Sequence, residues 1–517
     1  MSEHYFLAID GGSSSVRAIL FDQNGHQIYT KQQKWEHLAD PRYPGSMSFD
    51  CQKNWSIIAQ IIKDLITESQ IDPEKIATVS TTTMREGFVL YDERGNELIG
   101  FANVDSRAES ESAYLKVNQP DLEKDLFHKT GESFALGALP RLLWVANKEK
   151  EIAQSSKYLN MLNDWITYKL SDQLVSEPSN SSTTGLFDLR KRQWDFSPLE
   201  SIDMDLSPVK VIESGGYVSQ VSPNASKQTG LSVHTKVMMG GGDAQLGCIG
   251  IGAIEENQTA LLGGTFWQLN HNVKEFNGII DSKVRLNCHA VPDLFQYELI
   301  AWQIGNTIDW FIQSFLDKEI EEFTNKTDLH HYINQQVSIV PAGSNGVIST
   351  FANEMNMMDL KNCSPTFTNF GLDANLYHKF VFYRSLLENT AYVVKKHKIR
   401  IEAASGQLIN EILFAGGAAN SSLWCQILAD VLQVTLKVPE VKEATALGAA
   451  MVAAIGSGIL TKDQVKGWVK IENEYHPQQD DLEMYNEQFA KWEAVYAKQL
   501  ELVNEGITTS MWKAPGL

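Results

Sequence analysis

Tyr5-Phe6-Leu7-Ala8-Ile9-Asp10-Gly11-Gly12-Ser13-Ser14-Ser15-Val16-Arg17-Ala18-Ile19-Leu20-Phe21-Asp22 reads as two apolar strands joined by a Gly/Ser turn. The glycines permit backbone angles that a Cβ forbids, so successive N–H groups can converge on phosphate oxygens, and Ser13, Ser14 and Ser15 add hydroxyl donors. Asp10, at the end of a buried strand, is placed to hold a hydrated Mg2+ against the same phosphates. Alone, such a turn usually does no more than reverse the chain. The chemistry recurs, however, in Ala260-Leu261-Leu262-Gly263-Gly264-Thr265-Phe266-Trp267. Two such hairpins, about 250 residues apart, point to two related halves facing one nucleotide.

Between them, Val237-Met238-Met239-Gly240-Gly241-Gly242-Asp243-Ala244-Gln245 delivers a carboxylate directly after an apolar strand and three glycines. Asp243 is the candidate catalytic base. The structural alternative makes it the cap of a helix starting at Ala244. A third glycine turn, Gly416-Gly417-Ala418-Ala419-Asn420, follows the strand Glu411 to Ala415 and suits close approach to a nucleoside.

Further strands are expected across residues 5 to 35 as an antiparallel meander with a turn at Asn24-Gly25, at 76 to 82, 258 to 271 and 285 to 290. Helical spacing marks Asn54 to Ser69, Leu139 to Glu151, Asp164 to Leu170 with Asp164 as its cap, 303 to 316, Leu376 to His397, and Ser421 to Val431 with Asn420 or Ser421 as its cap. Strands alternating with helices imply an α/β layer architecture, with a boundary near residue 252.

A chain of 517 residues, 43% hydrophobic, is too long for one core and divides into two or three domains. A net charge of −20 argues against nucleic acid, which would need a basic face. The five cysteines lie at least about 40 residues apart, which excludes a CxxC zinc or redox pattern and fits buried thiols in a reducing cytosol. Met1 to His4 carries no secretory signal pattern, and Ala444 to Leu460 is short for a membrane span, so a small-residue core helix is expected there. No Gly-Lys dipeptide, GxSxG, HExxH or strand-linked GxGxxG occurs.

What remains suits phosphoryl transfer, in which the protein positions the donor, neutralises charge and accepts a proton from the attacking hydroxyl. Met84-Arg85-Glu86-Gly87 and Asn103-Val104-Asp105-Ser106-Arg107 are candidates for the acceptor pocket. Local ion pairs, Arg85 with Glu86 or Asp105 with Arg107, are the alternative. Arg141 is expected on a helix surface, and Glu472 to Gln488 as a solvated face.

These motifs together resemble the FGGY carbohydrate kinases, relatives of glycerol kinase and xylulokinase in the actin-like ATPase superfamily. Asp10 to Arg17 resembles the first phosphate motif of that family, Gly263-Gly264-Thr265 the second, Asp243 its base, and Gly416 to Ser421 its adenosine motif. Gly371 to Glu388 is a loose version of its signature region. A narrower likeness, to the autoinducer-2 kinases of the family, rests on residues 84–87, 103–108, 263–268 and the tail 508–517.

The resemblance implies two ribonuclease-H-like domains, 1–252 and 253–517, closing on a cleft that holds ATP, Mg2+ and the acceptor. It implies Asp10 and Asp243 at the metal, and Gly12, Ser13, Ser14, Ser15, Arg17, Gly264, Thr265, Gly416, Gly417 and Asn420 at ATP. Arg85, Glu86, Asn103, Asp105, Asp243 and Gln245 would bind the acceptor, the terminal hydroxyl of 4,5-dihydroxypentane-2,3-dione, or alternatively another sugar or polyol. Asn103 stands where glycerol kinases have an aromatic residue, and Gln245 lies two positions after Asp243 rather than next to it. A cytoplasmic enzyme, a possible homodimer and regulation by the phosphocarrier HPr are further implications. A non-catalytic nucleotide switch of the actin-like group is the competing class.

Overall fold

Every residue of β1 (Tyr5–Gly11) is buried, so the sheet built around it must be covered on both faces. Alternation assigns the faces: Leu7 and Ile9 point one way, Phe6 and Ala8 the other. β1 pairs antiparallel with β2 (Ser15–Asp22), and β2 with β3 (Gln27–Lys34), which gives the expected meander. The first face is covered by α1 (Cys51–Ser69), whose Ile58, Ile62 and Leu65 recur at helical spacing. Asp50 starts that helix by accepting a hydrogen bond from the Lys53 N–H. β4 (Ile76–Thr83) then runs parallel to β1.

Two helices of the intervening region matter below: α2 (Leu139–Lys148) and α3 (Leu162–Ser171). α3 begins two residues earlier than expected, and Asp164 does not cap it; the residue is wholly buried inside the first turn, accepting from Asn163 Nδ2 at 2.9 Å. Burial pushes its carboxyl well above the usual range. β5 (Tyr217–Gln220) and β6 (Lys236–Gly242) complete the first sheet, in the order β5-β6-β4-β1-β2-β3. Asp243 opens α4 (Asp243–Gly250).

The second half repeats this plan. β7 (Thr259–Gly263) and β8 (Trp267–Val273) form the second hairpin, continued antiparallel by β9 (Arg285–Cys288) and β10 (Phe295–Trp302). After α5 (Ile304–Phe315) and the long α6 (Lys379–Ser405), β11 (Glu411–Gly416) lies parallel to β7. α7 (Ser422–Leu432) is capped by Ser421, one of the two expected candidates, and leads to β12 (Thr435–Pro439), parallel to β11. α8 (Ala444–Gly456) and β13 (Ile471–Tyr475) follow, giving the order β9-β10-β8-β7-β11-β12-β13, with Asn353–Glu354 pairing on β10. Each sheet thus has an antiparallel meander on one side of its first strand and two parallel strands on the other. These are the two ribonuclease-H-like halves.

α8 packs back onto the first sheet. Its Ala446, Ala450 and Ala454 share a core with Phe6, Ala8 and Leu246, and it crosses α4 at backbone distance. A Cβ on Gly250 would lie 1.8 Å from the Ala444 carbonyl oxygen, and one on Gly448 1.9 Å from that of Leu246. The small-residue run 444–460 is therefore a core helix as far as Gly456, and no helix among the described residues is long and apolar enough to cross a membrane.

The computed structural model describes residues 4–278, 281–323 and 325–511. Part of the tail singled out above, residues 512–517, and Met1 to Glu3 lie outside the described residues. Ser510 Oγ accepts from the Asn362 N–H at 3.2 Å.

Gly448→Leu forces the α4–α8 crossing apart. It is expected to cost about 1–3 kcal/mol of stability by overpacking, read as a shift in the denaturant midpoint. The larger residue at an exposed helix position such as Lys462 is expected to shift it by less than about 0.5 kcal/mol.

Candidate active site

The strand ends of both sheets converge on one cavity of about 800 Å3. On the first sheet, Asp10 stands opposite Thr82 in the β1–β4 register, and Asp243 follows directly on β6. On the second, Gly263 stands opposite Gly416. Asp10, Arg17 and Asp243 line the cavity from one side; Gly264, Thr265, Gly416, Gly417 and Asn420 line it from the other. The first turns of α4 and α8 also border it, so two helix N-termini with their unpaired N–H groups favour an anion there.

Gly416 has φ +122°, and a Cβ there would meet the Gly263 carbonyl oxygen at 1.8 Å, so this turn needs glycine for both conformation and space. The first hairpin does not behave as expected. Neither Gly11 nor Gly12 takes a positive φ; what Gly11 provides is room, since a Cβ would sit 2.6 Å from the Trp35 ring. Gly12, Ser13, Ser14 and Ser15 lie outside the lining of the large cavity. The carbonyl of Gly12 accepts from Trp35 Nε1 at 2.6 Å, and Ser15 Oγ accepts from Gln32 Nε2 at 3.0 Å.

Asp10 is buried and accepts from Arg17 Nη2 at 2.7 Å, while Arg17 Nη1 donates to Glu443 Oε2 at 2.6 Å. Burial dominates, countered by Arg17, and lifts the Asp10 carboxyl to about 6. The side chain of Asp243 is 37% exposed and faces the cavity. Enclosure by the cleft walls desolvates it and, despite the opposing charge of Arg85, raises it to about 7. A carboxylate poised near neutrality is suited to taking a proton from an alcohol. Asp243 does not cap its helix through a conventional N2 or N3 contact; its Oδ1 accepts from the adjacent Ala244 N–H at 2.8 Å.

Arg85 borders neither this cavity nor a smaller one beside Glu86, but it stands next to Asp243. Its Nε lies 3.7 Å from Asp243 Oδ1, and its two terminal nitrogens donate to Glu298 at 2.8 and 2.7 Å. Glu298 also faces Arg285 at 3.4 Å and accepts from Asn287 Nδ2 at 3.1 Å. Arg285 in turn donates to Glu132 at 2.6 Å and Glu86 at 2.7 Å. The Arg85–Glu86 pair weighed from the sequence is thus replaced by partners from β9 and β10. Burial alone would raise Glu298, but Arg85 and Arg285 outweigh it and hold the group below its usual range. Glu132, dominated by burial, rises to about 8.

The smaller cavity, about 70 Å3, is bordered by Glu86, Asn103 and Asp105, and by Arg141 and Trp302. Asp105 is saturated: Arg107 donates to it from Nε and Nη2, and the Met47 N–H at 2.7 Å, so the local ion pair considered for Asp105 and Arg107 does form. Gln245 is fully buried with both amide atoms unpartnered. Arg141 corrects the expectation of a surface position, being only 6% exposed. Pro140 and Leu142 to Val145 around it are all buried, so the start of α2 is apolar on every side and carries Arg141 inward.

Residues 5–250 match the model for the FGGY family of carbohydrate kinases, N-terminal domain, and residues 287–457 the model for its C-terminal domain. Proteins named autoinducer-2 kinase from Enterobacter sp. (strain 638) and Escherichia coli (strain K12) are each 40% identical, over 99% and 100% of this chain and 98% of their own length. The chain belongs to the FGGY family of carbohydrate kinases. Among solved structures, xylulose kinase from Rhodospirillum rubrum (TM-score 0.84, 21% identity, 97% of this chain and 100% of that one) shares the fold. So does Plasmodium falciparum glycerol kinase with ADP (TM-score 0.83, 18% identity, 96% of this chain and 98% of that one).

This FGGY kinase is therefore a phosphotransferase with an alcohol group as acceptor and an ATP requirement implied by its family. Asp10 and Asp243 fit a magnesium ion of the kind held by one or two carboxylates plus phosphate oxygens, since both border the same cavity and each is raised partly by a nearby acidic group. Among the described residues no group of three or more His, Cys, Asp or Glu side chains is placed to hold a metal ion.

The residues that sequence reasoning missed are Glu132, Arg285 and Glu298. For Glu298 the available signal was a lone charge inside a largely apolar strand, Tyr297-Glu298-Leu299-Ile300; Glu132 lies outside any strand and Arg285 opens a strand that also carries Asn287, so neither showed that pattern.

Two outcomes follow from these charges. With Asp243 as the candidate base, which would have to be ionised to accept a proton, kcat/KM is expected to fall about tenfold per pH unit below about 7, and more steeply below about 6 where Asp10 also protonates, in a pH–rate profile. Glu298→Ala, which leaves two buried guanidiniums facing each other, is expected to cost about 3–5 kcal/mol in denaturant unfolding.

Proposed function

We propose that this kinase transfers the γ-phosphoryl group of ATP to the terminal hydroxyl of 4,5-dihydroxypentane-2,3-dione, with Mg2+ as cofactor. The observation that carries the substrate is the 39–40% identity, across essentially the whole chain, to proteins named autoinducer-2 kinase. In this proposal residues 1–252 bind the acceptor and phosphates and residues 253–517 bind ATP.

Asp243 takes the proton of the acceptor hydroxyl as its oxygen bonds to the γ-phosphorus. The bond from that phosphorus to the β–γ bridging oxygen breaks, and ADP leaves. Arg85, held by Glu298, places positive charge beside Asp243 and so favours its ionised form. Thr265, Gly416 and the first turns of α4 and α8 offer N–H groups toward the phosphates. Asp10 and Asp243 would hold the metal, which when bound screens charge between the phosphates and the two carboxylates. The raised carboxyl and the polar side chains of Glu86, Asn103, Asp105 and Arg141 at the smaller cavity favour transfer over a switch that only binds nucleotide.

The test is ADP release with ATP and Mg2+ across dihydroxypentanedione, xylulose, ribulose, glycerol and no acceptor. Selectivity for dihydroxypentanedione, with Asp243→Asn lowering kcat by about 10²- to 10⁴-fold while ATP still binds, is the expected result. Preference for a pentulose or glycerol would overturn the acceptor and leave the phosphoryl-transfer chemistry standing.

A further inference from the structure

Arg141 is a buried cation with no ion-pair partner within 4 Å among the described residues. Its Nη2 donates to the Leu136 carbonyl at 3.2 Å and its guanidinium carbon lies 5.0 Å from the Phe88 ring centroid. Nη1 is out of solvent with no hydrogen-bond partner, and among the described residues no carboxylate pairs with it. Two carboxylates act on it from a distance: Asp105, taken by Arg107 and by the Met47 N–H, and Glu86, which accepts from Arg285. A guanidinium can only donate, and a buried arm left unpaired is costly, so the position calls for an oxygen that the protein does not supply.

Two other unpartnered atoms border the same cavity: Asn103 Oδ1 and Ser112 Oγ. Asn103 Nδ2 donates to Ser13 Oγ at 3.3 Å, which fixes the amide with its acceptor oxygen as the free end. Besides the carboxylates of Glu86 and Asp105, which other donors already engage, an unpaired donor on Arg141, an acceptor on Asn103 and the Ser112 hydroxyl border about 70 Å3 of space, enough for a few heavy atoms. The complement is a short chain carrying an oxygen that accepts and a hydroxyl that donates. Asp243 borders the large cavity and not this one, so a fragment held here would belong to the end of the acceptor away from the reacting hydroxyl.

We propose that Arg141 binds a carbonyl or hydrated-carbonyl oxygen of the acceptor, with Asn103 accepting from an adjacent hydroxyl, so that Arg141 selects hydroxy-carbonyl acceptors over plain polyols. The assignment rests on the kinase reading above and names the part of the acceptor this cavity recognises.

The experiment compares wild type, Arg141→Met and Arg141→Lys on dihydroxypentanedione and on pentane-1,2-diol, which keeps the terminal diol and lacks the carbonyls. Arg141→Met is expected to raise the dihydroxypentanedione KM by about 10- to 100-fold, the loss of one charged hydrogen bond, with the ATP KM within about twofold of wild type. Arg141→Lys should restore part of that loss, and the KM for the diol should be the same in wild type and Arg141→Met. An unchanged dihydroxypentanedione KM in Arg141→Met overturns the assignment. So does a parallel rise in both acceptor and ATP KM with a lowered melting temperature, the mark of a structural role.

Wild-type preference for xylulose would overturn the substrate proposed above; a xylulose KM raised about 10- to 100-fold in Arg141→Met would then support the Arg141 assignment, and an unchanged one would overturn it. Preference for glycerol, which has no carbonyl, would overturn both.

Discussion

The close crossing of α4 and α8 is the constraint on which the site depends. Gly250 against the Ala444 carbonyl and Gly448 against that of Leu246 let two backbones meet where any side chain would hold them apart. Because α4 continues β6 and α8 follows the second sheet, the crossing ties the two halves together next to the cavity. Asp243 and Thr445 stand at the starts of these helices, and Thr445 Oγ1 donates to the Asp243 carbonyl at 3.4 Å. The fit of small residues thereby sets where the carboxylate and two sets of helix N–H groups stand relative to each other.

A second tie is electrostatic. Arg85 and Glu86, following β4, meet Arg285 and Glu298, which belong to β9 and β10. Burying such charges is costly, and each is repaid only by good geometry with several partners. The network fixes the Arg85 guanidinium bidentately, and the same arginine reaches toward Asp243. Two orders of effect compete at Asp243, enclosure raising its proton affinity and Arg85 lowering it, and the balance falls near neutrality. A chain with a net charge of −20 can still offer an anion a favourable cavity, because helix N-termini and the locally paired Arg17, rather than net charge, border it.

The fold was largely legible. Buried strands such as Tyr5–Gly11 announce themselves as unbroken apolar runs, and the hairpins recurred with the same chemistry at 5–22 and 260–267. The strand ends carrying Asp10, Asp243, Gly264 and Gly416 could be named because glycine and carboxylate at the end of an apolar strand is a local pattern. Asp164 shows the limit: as a helix-start residue it has the composition of a cap, yet its position inside the first turn buries it. Arg141 shows the same limit from the other side, since a lone arginine on a helix is usually a surface residue and only the apolar packing around α2 turns it inward.

What the sequence determined by itself was therefore everything carried by neighbours along the chain: the strands, the turns, the duplicated plan and the carboxylates at strand ends. The tertiary structure decided which charges pair. Arg85 chose Glu298, 213 positions away, over the adjacent Glu86, and Arg17 bridged to Glu443. Ion pairs and cavities depend on distances across the fold, and the residues that complete them lie hundreds of positions apart, where no local pattern links them.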